Sequence, residues 1–339
     1  MAGMIEIRQW EEVRAVLFDA CDSKSEAPSL LLGNGASIAV TDTFGYPSLF
    51  QSAELDEVAR GVFRAFGSTD FEYVLGRLHT AMLVNQALDE DCLRITDLYQ
   101  TIRQALIQSL ADVHIRGAIY NPHEALSTEI PSYHHIYSSN YDLLLYWAML
   151  HHRCQRNRAV VDMFIGEQLT FDPYRQWDGD STVLHYLHGA IHLYLDQDGV
   201  CRKRNADRTP IMNQLRDGRS VHFVSEGTWQ AKKARIDASP YLSHCYSQLV
   251  SDSNDLVIFG HSLDEETDRH ILNAIIKHTE RRIAVSVYTH GREAHDLQAQ
   301  MNATIAKLRG IPAEQILFFD SVGHPFGFPG QGCPFDVVE

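Results

Sequence analysis

The sequence lacks the cysteine pattern of a metal site or of a disulfide framework. Its six cysteines are scattered along 339 residues, and no two of them form a CxxC pair. They therefore predict neither a structural zinc site nor the disulfide scaffold of a small secreted protein. We expect a cytoplasmic protein whose thiols are reduced.

Long hydrophobic runs and basic charge are also scarce. No apolar run reaches the ~18 residues of a membrane-spanning helix. The first residues carry acids where a signal peptide has a basic segment and then an apolar one. Lys and Arg total 29 against 44 Asp and Glu, a formal net charge of −15. Because a nucleic-acid footprint is basic, we expect neither a nucleic acid nor a membrane as partner.

Short apolar runs alternate with helical patterns in the second half of the chain. Continuous apolar strands joined by helices are typical of a parallel sheet that is covered on both faces. We therefore predict an α/β fold, a doubly wound, mostly parallel (Rossmann-like) sheet within a single domain spanning residues 1–339. The strands are expected at 134–138, 160–165, 182–188, 191–196, 221–226, 255–260, 282–289 and 316–320, and the helices between them at 142–152, 229–251, 265–280 and 292–308. The polar and basic stretch 198–219 is expected to be an exposed loop.

Residues 52–118 interrupt this pattern. They contain no proline and are rich in Ala, Leu, Glu, Arg and Gln. Apolar residues in FEYVLGRLHTAML recur at helical spacing. The segment is predicted to be a helical insertion with helices at 53–66, 70–86 and 90–117.

Two glycine turns follow predicted strands. GNGAS (Gly33–Ser37) follows LLL, and GHSLD (Gly260–Asp264) follows LVIF. A glycine turn at the carboxyl end of a strand lets backbone N–H groups approach a phosphate. The alternatives are equally open here: an ordinary tight turn for the first, and a helix cap at Ser262 or Asp264 for the second.

Two further polar motifs stand at strand ends. SSNYD (Ser138–Asp142) follows HHIY and offers an amide and a carboxylate, although Asp142 is also a good N-cap for the next helix. His188 and Gly189 follow another strand. A histidine there suits proton transfer at neutral pH, since its ordinary pKa is ~6.5. A structural role for a single histidine among 18 is the alternative.

Taken in order, these four segments resemble the sirtuin-like (silent information regulator) superfamily. GNGASIAVTDTFGYPSLF (33–50) resembles that family's GAGxS turn and the loop after it. Ser138–Asp142 resembles its TxNxD motif, and His188–Gly189 its His-Gly pair. Gly260–Leu263 resembles its GxSL turn near the adenosine.

The resemblance implies that NAD is the substrate and that no metal is required. It implies catalytic roles for Asn140, which would hold the ribose or a water, for His188, which would accept a proton, and for Asp142, near the nicotinamide or the Asn loop. The dinucleotide contacts that it implies are Gly33, Asn34, Gly35, Ser37, Tyr46, Pro47, Ser139, Gly189, Gly260, Ser262 and Leu263.

Departures from the family pattern narrow the expected activity. Sirtuin deacetylases carry a four-cysteine zinc module, so the missing CxxC pairs argue against protein deacetylation. The chain resembles a zinc-less bacterial branch of the kind found in antiviral defence, in which related domains hydrolyse NAD. The loop after the first turn lacks the family's acid and Arg. The resemblance implies that residues 221–242 are particular to this branch, and Glu226, Thr228 and Lys232 are candidates to line the pocket.

We therefore expect an NAD glycohydrolase that yields nicotinamide and ADP-ribose. The alternatives are a non-catalytic sensor of NAD or ADP-ribose and an assembly subunit. A continuously active enzyme would poison its own cell, so we expect control by a homo-oligomer or by a regulatory partner protein. The sequence does not separate NAD from NADP.

Overall fold

A parallel sheet forms the centre of the protein in a computed structural model that describes residues 5–116, 126, 129–155, 160–177, 179–205, 211–215, 219–225 and 227–327. The strands are β1 (Ile7–Arg8), β2 (Ser29–Leu32), β3 (His135–Ser138), β4 (Val160–Val161), β5 (Phe164–Ile165), β6 (Thr170–Phe171), β7 (Thr182–Tyr186), β8 (Gly189–Leu195), β9 (Cys201–Lys203), β10 (Val221–Phe223), β11 (Leu256–Phe259), β12 (Ile283–Val287) and β13 (Ile316–Asp320). Eight of them pair in the order β1-β13-β12-β11-β2-β3-β7-β4.

Every neighbouring pair in this sheet is parallel. In the centre, Leu30 lies opposite both Val257 and Ile136, so β2 is flanked by β11 and β3. All four residues of β2, β3 and β11 are buried, because helices cover both faces. The prediction of an α/β, Rossmann-like fold is confirmed.

Helices account for most of the remaining described structure. They are α1 (Trp10–Phe18), α2 (Asn34–Val40), α3 (Tyr46–Ser52), α4 (Glu57–Phe66), α5 (Phe71–Ala87), α6 (Leu93–Arg116), α7 (Leu144–Gln155), α8 (Ile211–Leu215), α9 (Trp229–Asp237), α10 (Pro240–Ser251), α11 (Arg269–Ile275) and α12 (Ala294–Lys307). Within the described part of the chain, no helix is both long and apolar enough to cross a bilayer.

The insertion forms the three helices that its sequence predicts, α4, α5 and α6. Asp56 and Asp70 start α4 and α5, since each side chain accepts a hydrogen bond from the backbone N–H three residues later. Gly67 ends α4 in the left-handed conformation.

A second, antiparallel sheet was missed by the sequence analysis. It has the order β10-β8-β9-β6-β5. The predicted single strand 160–165 is wrong, because it divides into β4 of the main sheet and β5 of the small one. The predicted exposed loop 198–219 is also wrong in part. Residues 201–203 form β9, where Lys203 is buried and donates to Asp162. Residues 206–210 and 216–218 lie outside the described residues.

Two predicted helices are shorter than their patterns indicated. The stretch 229–251 is two helices, because Pro240 lacks a backbone N–H and Ser239 caps a new helix by accepting from Leu242 N. The stretch 265–280 is helical only over α11, since Asp264 folds residues 264–267 into a turn by accepting from the N–H groups of Glu266 and Thr267.

Candidate functional site

A cavity of about 540 Å³ opens at the carboxyl ends of β2, β3, β7 and β11, and the insertion helices α5 and α6 cover it. The chain leaves β2 toward β3 on one side and returns to β11 on the other, so the cavity lies at the point where the strand order reverses. Open α/β sheets bind ligands at such points. The lining includes ten of the fourteen residues predicted for the site, namely Gly33, Asn34, Gly35, Tyr46, Ser139, Asn140, Asp142, His188, Gly260 and Ser262.

Four predicted residues do not line the cavity. Ser37 is buried behind Asn140, and Pro47 lies in the first turn of α3. Gly189 has a positive φ of 76° at the start of β8, where a Cβ would lie 2.2 Å from the carbonyl oxygen of His222. Leu263 is buried, and its N–H donates to His261 Nδ1 at 2.9 Å. Ser37, Gly189 and Leu263 therefore support the walls of the site, whereas Pro47 is exposed on α3.

The two glycine turns pack directly on each other. A Cβ on Gly33 would lie 2.5 Å from His261 Cα, and one on Gly35 would lie 2.7 Å from Gly260 Cα. The N–H of Gly33 donates to Phe259 O, and that of Gly35 to Gly260 O. These two N–H groups are therefore not free to bind a phosphate, which corrects the expected role of the two glycines. Close backbone packing is what requires glycine here.

Asn140 is the polar centre of the cavity floor. Its Nδ2 donates to Gly33 O at 3.0 Å and to Ser37 Oγ at 2.8 Å. Its Oδ1 is buried without a hydrogen-bond partner among the described residues, and such an atom is costly unless a ligand satisfies it. The amide nitrogen is thus held by two hydrogen bonds, whereas the amide oxygen has none.

Asp142 combines the two roles that its sequence left open. Its Oδ1 accepts from Leu144 N at 2.8 Å, and its Oδ2 accepts from the Ser37 hydroxyl. Burial raises the pKa of this carboxyl, although both hydrogen bonds oppose that shift. Asp142 therefore anchors the loop that carries Asn140 while it also lines the cavity.

His188 lies in the cavity wall with its imidazole buried. Its Nε2 is 3.0 Å from His270 Nε2 and 3.8 Å from Asp268 Oδ1. No hydrogen bond is found for its Nδ1 among the described residues. Burial, and then the neighbouring Lys232 cation, lower the pKa of His188 to about 4, so the ring is neutral at neutral pH. The flanking His185 and His192 do not line the cavity.

A buried ion group joins the insertion to the sheet. Lys232 Nζ donates to Glu72 Oε2 at 2.7 Å and to Asp268 Oδ1 at 3.0 Å. Burial alone would lower the pKa of Lys232, but the Asp268 and Glu72 carboxylates raise it above its ordinary value. Burial would raise the pKa of each carboxyl, and Lys232 overrides this so that both pKa values are lowered. All three groups are therefore charged at neutral pH.

His188, Asp268 and His270 are also the described residues that could hold a metal, since one ligand atom from each lies within 4.8 Å of the others. Lys232 already satisfies Asp268 and would lie beside any such ion. We expect the like charges to weaken binding. The prediction that no metal is needed stays a prediction.

A family assignment follows from comparison with known proteins. Residues 30–324 match the family described as "Domain of unknown function (DUF4917)". The chain belongs to this family. None of the curated proteins that were compared matches the chain. The matched range includes both glycine turns, Asn140, His188 and the helical insertion, so the whole cavity lies inside the DUF4917 domain.

Sequence reasoning missed much of the polar lining of this DUF4917 site. Glu72 is one of 44 acids in the sequence and carries no local motif. Asp268 and Tyr141 stood next to recognised motifs without an assigned role. Of the three candidates in 221–242, Lys232 lines the cavity, Thr228 caps α9 by accepting from Ala231 N, and Glu226 lies outside the described residues.

Proposed function

We propose that this DUF4917 protein is an NAD glycohydrolase that releases nicotinamide and ADP-ribose. The observation that carries the proposal is the meeting of Asn140 and His188 in one cavity at the carboxyl ends of neighbouring strands. A positioned amide can hold the ribose or the attacking water, and a neutral imidazole can accept the proton of that water.

The proposed step is a displacement at the ribose C1′ carbon. The oxygen of a water molecule forms the new C1′–O bond while the C1′–N bond to nicotinamide breaks. The electron pair of the broken bond goes to the nicotinamide ring, which leaves as a neutral molecule. The proton from water passes to His188. Asn140 Oδ1 would accept a hydrogen bond from the water or from a ribose hydroxyl, which would satisfy its unpaired oxygen.

His188 would accept the proton at Nδ1, the ring nitrogen that has no hydrogen-bond partner among the described residues. His188 Nδ1 is a proton acceptor when His188 Nε2–H donates to His270 Nε2, which lies 3.0 Å away. In that tautomer His270 orients the base. The lowered pKa keeps Nδ1 unprotonated throughout the neutral range, and the Asp268 and Glu72 carboxylates, which act to raise the pKa of His188, would stabilise the imidazolium that forms.

A second cavity gives the rest of a dinucleotide a place. It has about 960 Å³ and shares Gly35, Gly260, His261 and Ser262 with the first cavity. It extends past the ends of β12 and β13, where Tyr288 and Gln300 line it. The adenosine would lie here, with the diphosphate crossing the glycine turns between the two cavities.

Nicotinamide release from NAD by the purified protein tests the proposal. We expect His188→Ala to lower kcat by ~10²–10⁴-fold, the usual contribution of a general base. Asn140→Ala should abolish detectable release, since it removes the amide that holds the ribose or water. The matched controls His295→Ala and Asn302→Ala change exposed residues on α12, and both should release nicotinamide at the wild-type rate.

The alternative function predicts a different result. If the wild type binds NAD and ADP-ribose but releases no nicotinamide, in any assembly state, the protein is a sensor. Full activity of His188→Ala would also contradict the proposed base.

A regulated effector of antiviral defence in the cytoplasm is the biological role that we propose. The insertion lies over the cavity through Glu72, Tyr73, Leu106 and Leu110, so its movement would control access. The insertion could bind a second copy of the chain in a homo-oligomer, or it could bind a partner protein. Depletion of cellular NAD only when the partner is co-expressed would support this control, and strong toxicity of the chain alone would count against it.

A further inference from the structure

The first cavity, which the insertion covers, carries a negative charge. Neither the resemblance to sirtuin-like proteins nor the DUF4917 assignment explains this charge. Glu72 and Asp268 are both ionised and share Lys232, so this buried group has a net charge of −1. Lys232 is the one lysine or arginine among the described lining residues. Asp70 is a further carboxylate of the lining.

Glu72 is the carboxylate best placed to act on a ligand. Tyr46 Oη donates to its Oε1 at 2.8 Å, and Tyr141 Oη contacts the same atom at 2.9 Å. These contacts hold the carboxylate, and 17% of its side chain remains exposed at the cavity, whereas Lys232 is 1% exposed. A ligand therefore meets the carboxylate before it meets the cation.

Aromatic side chains line the same cavity as this carboxylate, and the hydroxyls of Tyr46 and Tyr141 contact it. Phe44, Tyr46, Tyr73 and Tyr141 all line the cavity. Aromatic faces beside carboxylates are a favourable environment for a flat cation, because the ring quadrupole and the full charge act in the same direction. The buried Oδ1 of Asn140, which has no partner among the described residues, belongs to the lining of the same cavity and is an independent sign that a ligand belongs there.

We infer that Glu72, supplied by the helical insertion, makes this cavity a subsite for a cationic aromatic ring, and so selects the positively charged nicotinamide of NAD+ over its neutral reduced form. The inference rests on the proposed function, because it places the nicotinamide end of that substrate here. It adds a specificity-determining residue that lies outside all four sequence motifs.

The test uses two small probes that the protein cannot hydrolyse, the 1-methylnicotinamide cation and neutral nicotinamide. Their dissociation constants are measured by calorimetry with the full chain. We expect the wild type to bind the cation about tenfold more tightly, which is the effect of a partly screened charge a few ångströms away. Glu72→Gln keeps an acceptor for both tyrosines and changes the net charge of the group from −1 to 0, so the preference should disappear.

A variant that keeps the charge separates selection from mere structural damage. Glu72→Asp shortens the side chain but keeps the net charge of the group at −1, so the preference for the cation should remain. Glu266→Gln is the matched control at the rim, where the side chain is 62% exposed and solvent screens the charge. It should leave the preference unchanged.

Three results would overturn the inference. They are a wild type that does not bind the cation at millimolar concentration, equal affinities of the wild type for both probes, and a Glu72→Asp variant that loses the preference as fully as Glu72→Gln. None of these decides whether NAD is hydrolysed. Conversely, a protein that prefers the cation but releases no nicotinamide from NAD would keep this subsite and lose only the proposed reaction.

Discussion

At the scale of single residues, His188 has a lower pKa than an exposed histidine, and the pH dependence of nicotinamide release can measure this difference. Burial and Lys232 lower its pKa to about 4. A base with the ordinary pKa of ~6.5 would lose about three quarters of its active form at pH ~6. His188 should lose almost none, so kcat/KM for nicotinamide release should be constant between pH ~6 and ~8. An inflection near pH ~6.5 would contradict the assignment of this buried imidazole as the base.

The residues that could be predicted are those next to the sheet. Asn140 and His188 follow predicted strands, so their positions follow from the rule that ligands bind at carboxyl ends. Glu72 could not be predicted, because it reaches the site only through the packing of α5 against α9, whose Lys232 lies 160 residues later in the chain. A sequence pattern records the spacing of nearby residues, and Glu72 and Lys232 are too far apart in the chain to share such a pattern.

At the scale of elements, the position of α5 depends on a contact between two glycines. A Cβ on Gly76 would lie 2.3 Å from Gly227 Cα, in the loop just before α9. Gly76→Ala should therefore displace α5 from α9 and separate Glu72 from Lys232. We expect a loss of stability of about 1–3 kcal/mol, as for other overpacked sites, together with loss of the cation preference.

Gly61 provides the matched control for this substitution. It lies inside α4, and its nearest neighbour for an added Cβ is Arg64 Nη2 at 3.9 Å. Gly61→Ala should raise stability by about 1 kcal/mol, because alanine is the better helix former. Thermal melts of the two variants measure the difference. Equal melting temperatures would show that the α5–α9 contact is loose.

Elements were predictable where one pattern governed the whole segment. The buried central strands and the insertion helices are such segments. Residues 160–165 are not, because a six-residue apolar run does not reveal that its two halves pair with different sheets. The basic run at 202–204 indicated solvent, and it is the burial of Lys203 on Asp162 and of Arg204 beside Tyr194 that overrides this.

At the scale of the whole molecule, the histidines set the response to acid. His114 and His324 are buried, and burial lowers the pKa of each to about 3. His185, His188 and His192 are also buried with lowered pKa values. A histidine that is neutral in the fold stabilises it fully above its unfolded pKa of ~6.5, and this stability is lost as the pH falls below that value.

The acid response should therefore begin well above the range in which carboxylates titrate. At pH ~5.5, one unit below the unfolded pKa, a buried histidine whose folded pKa is about 3, as for His114 and His324, costs about 1.4 kcal/mol, against a typical total stability of ~5–15 kcal/mol. We expect the melting temperature to fall steeply between pH ~7 and ~5.5.

His192 allows the contribution of one histidine to be measured, since both ring nitrogens lack a hydrogen-bond partner among the described residues and the ring stacks on Tyr146 at 4.7 Å. His192→Phe keeps the stack and removes one titrating group. Its unfolding free energy should depend on pH with a slope lower by one proton, and an unchanged slope would mean that acid acts through other groups.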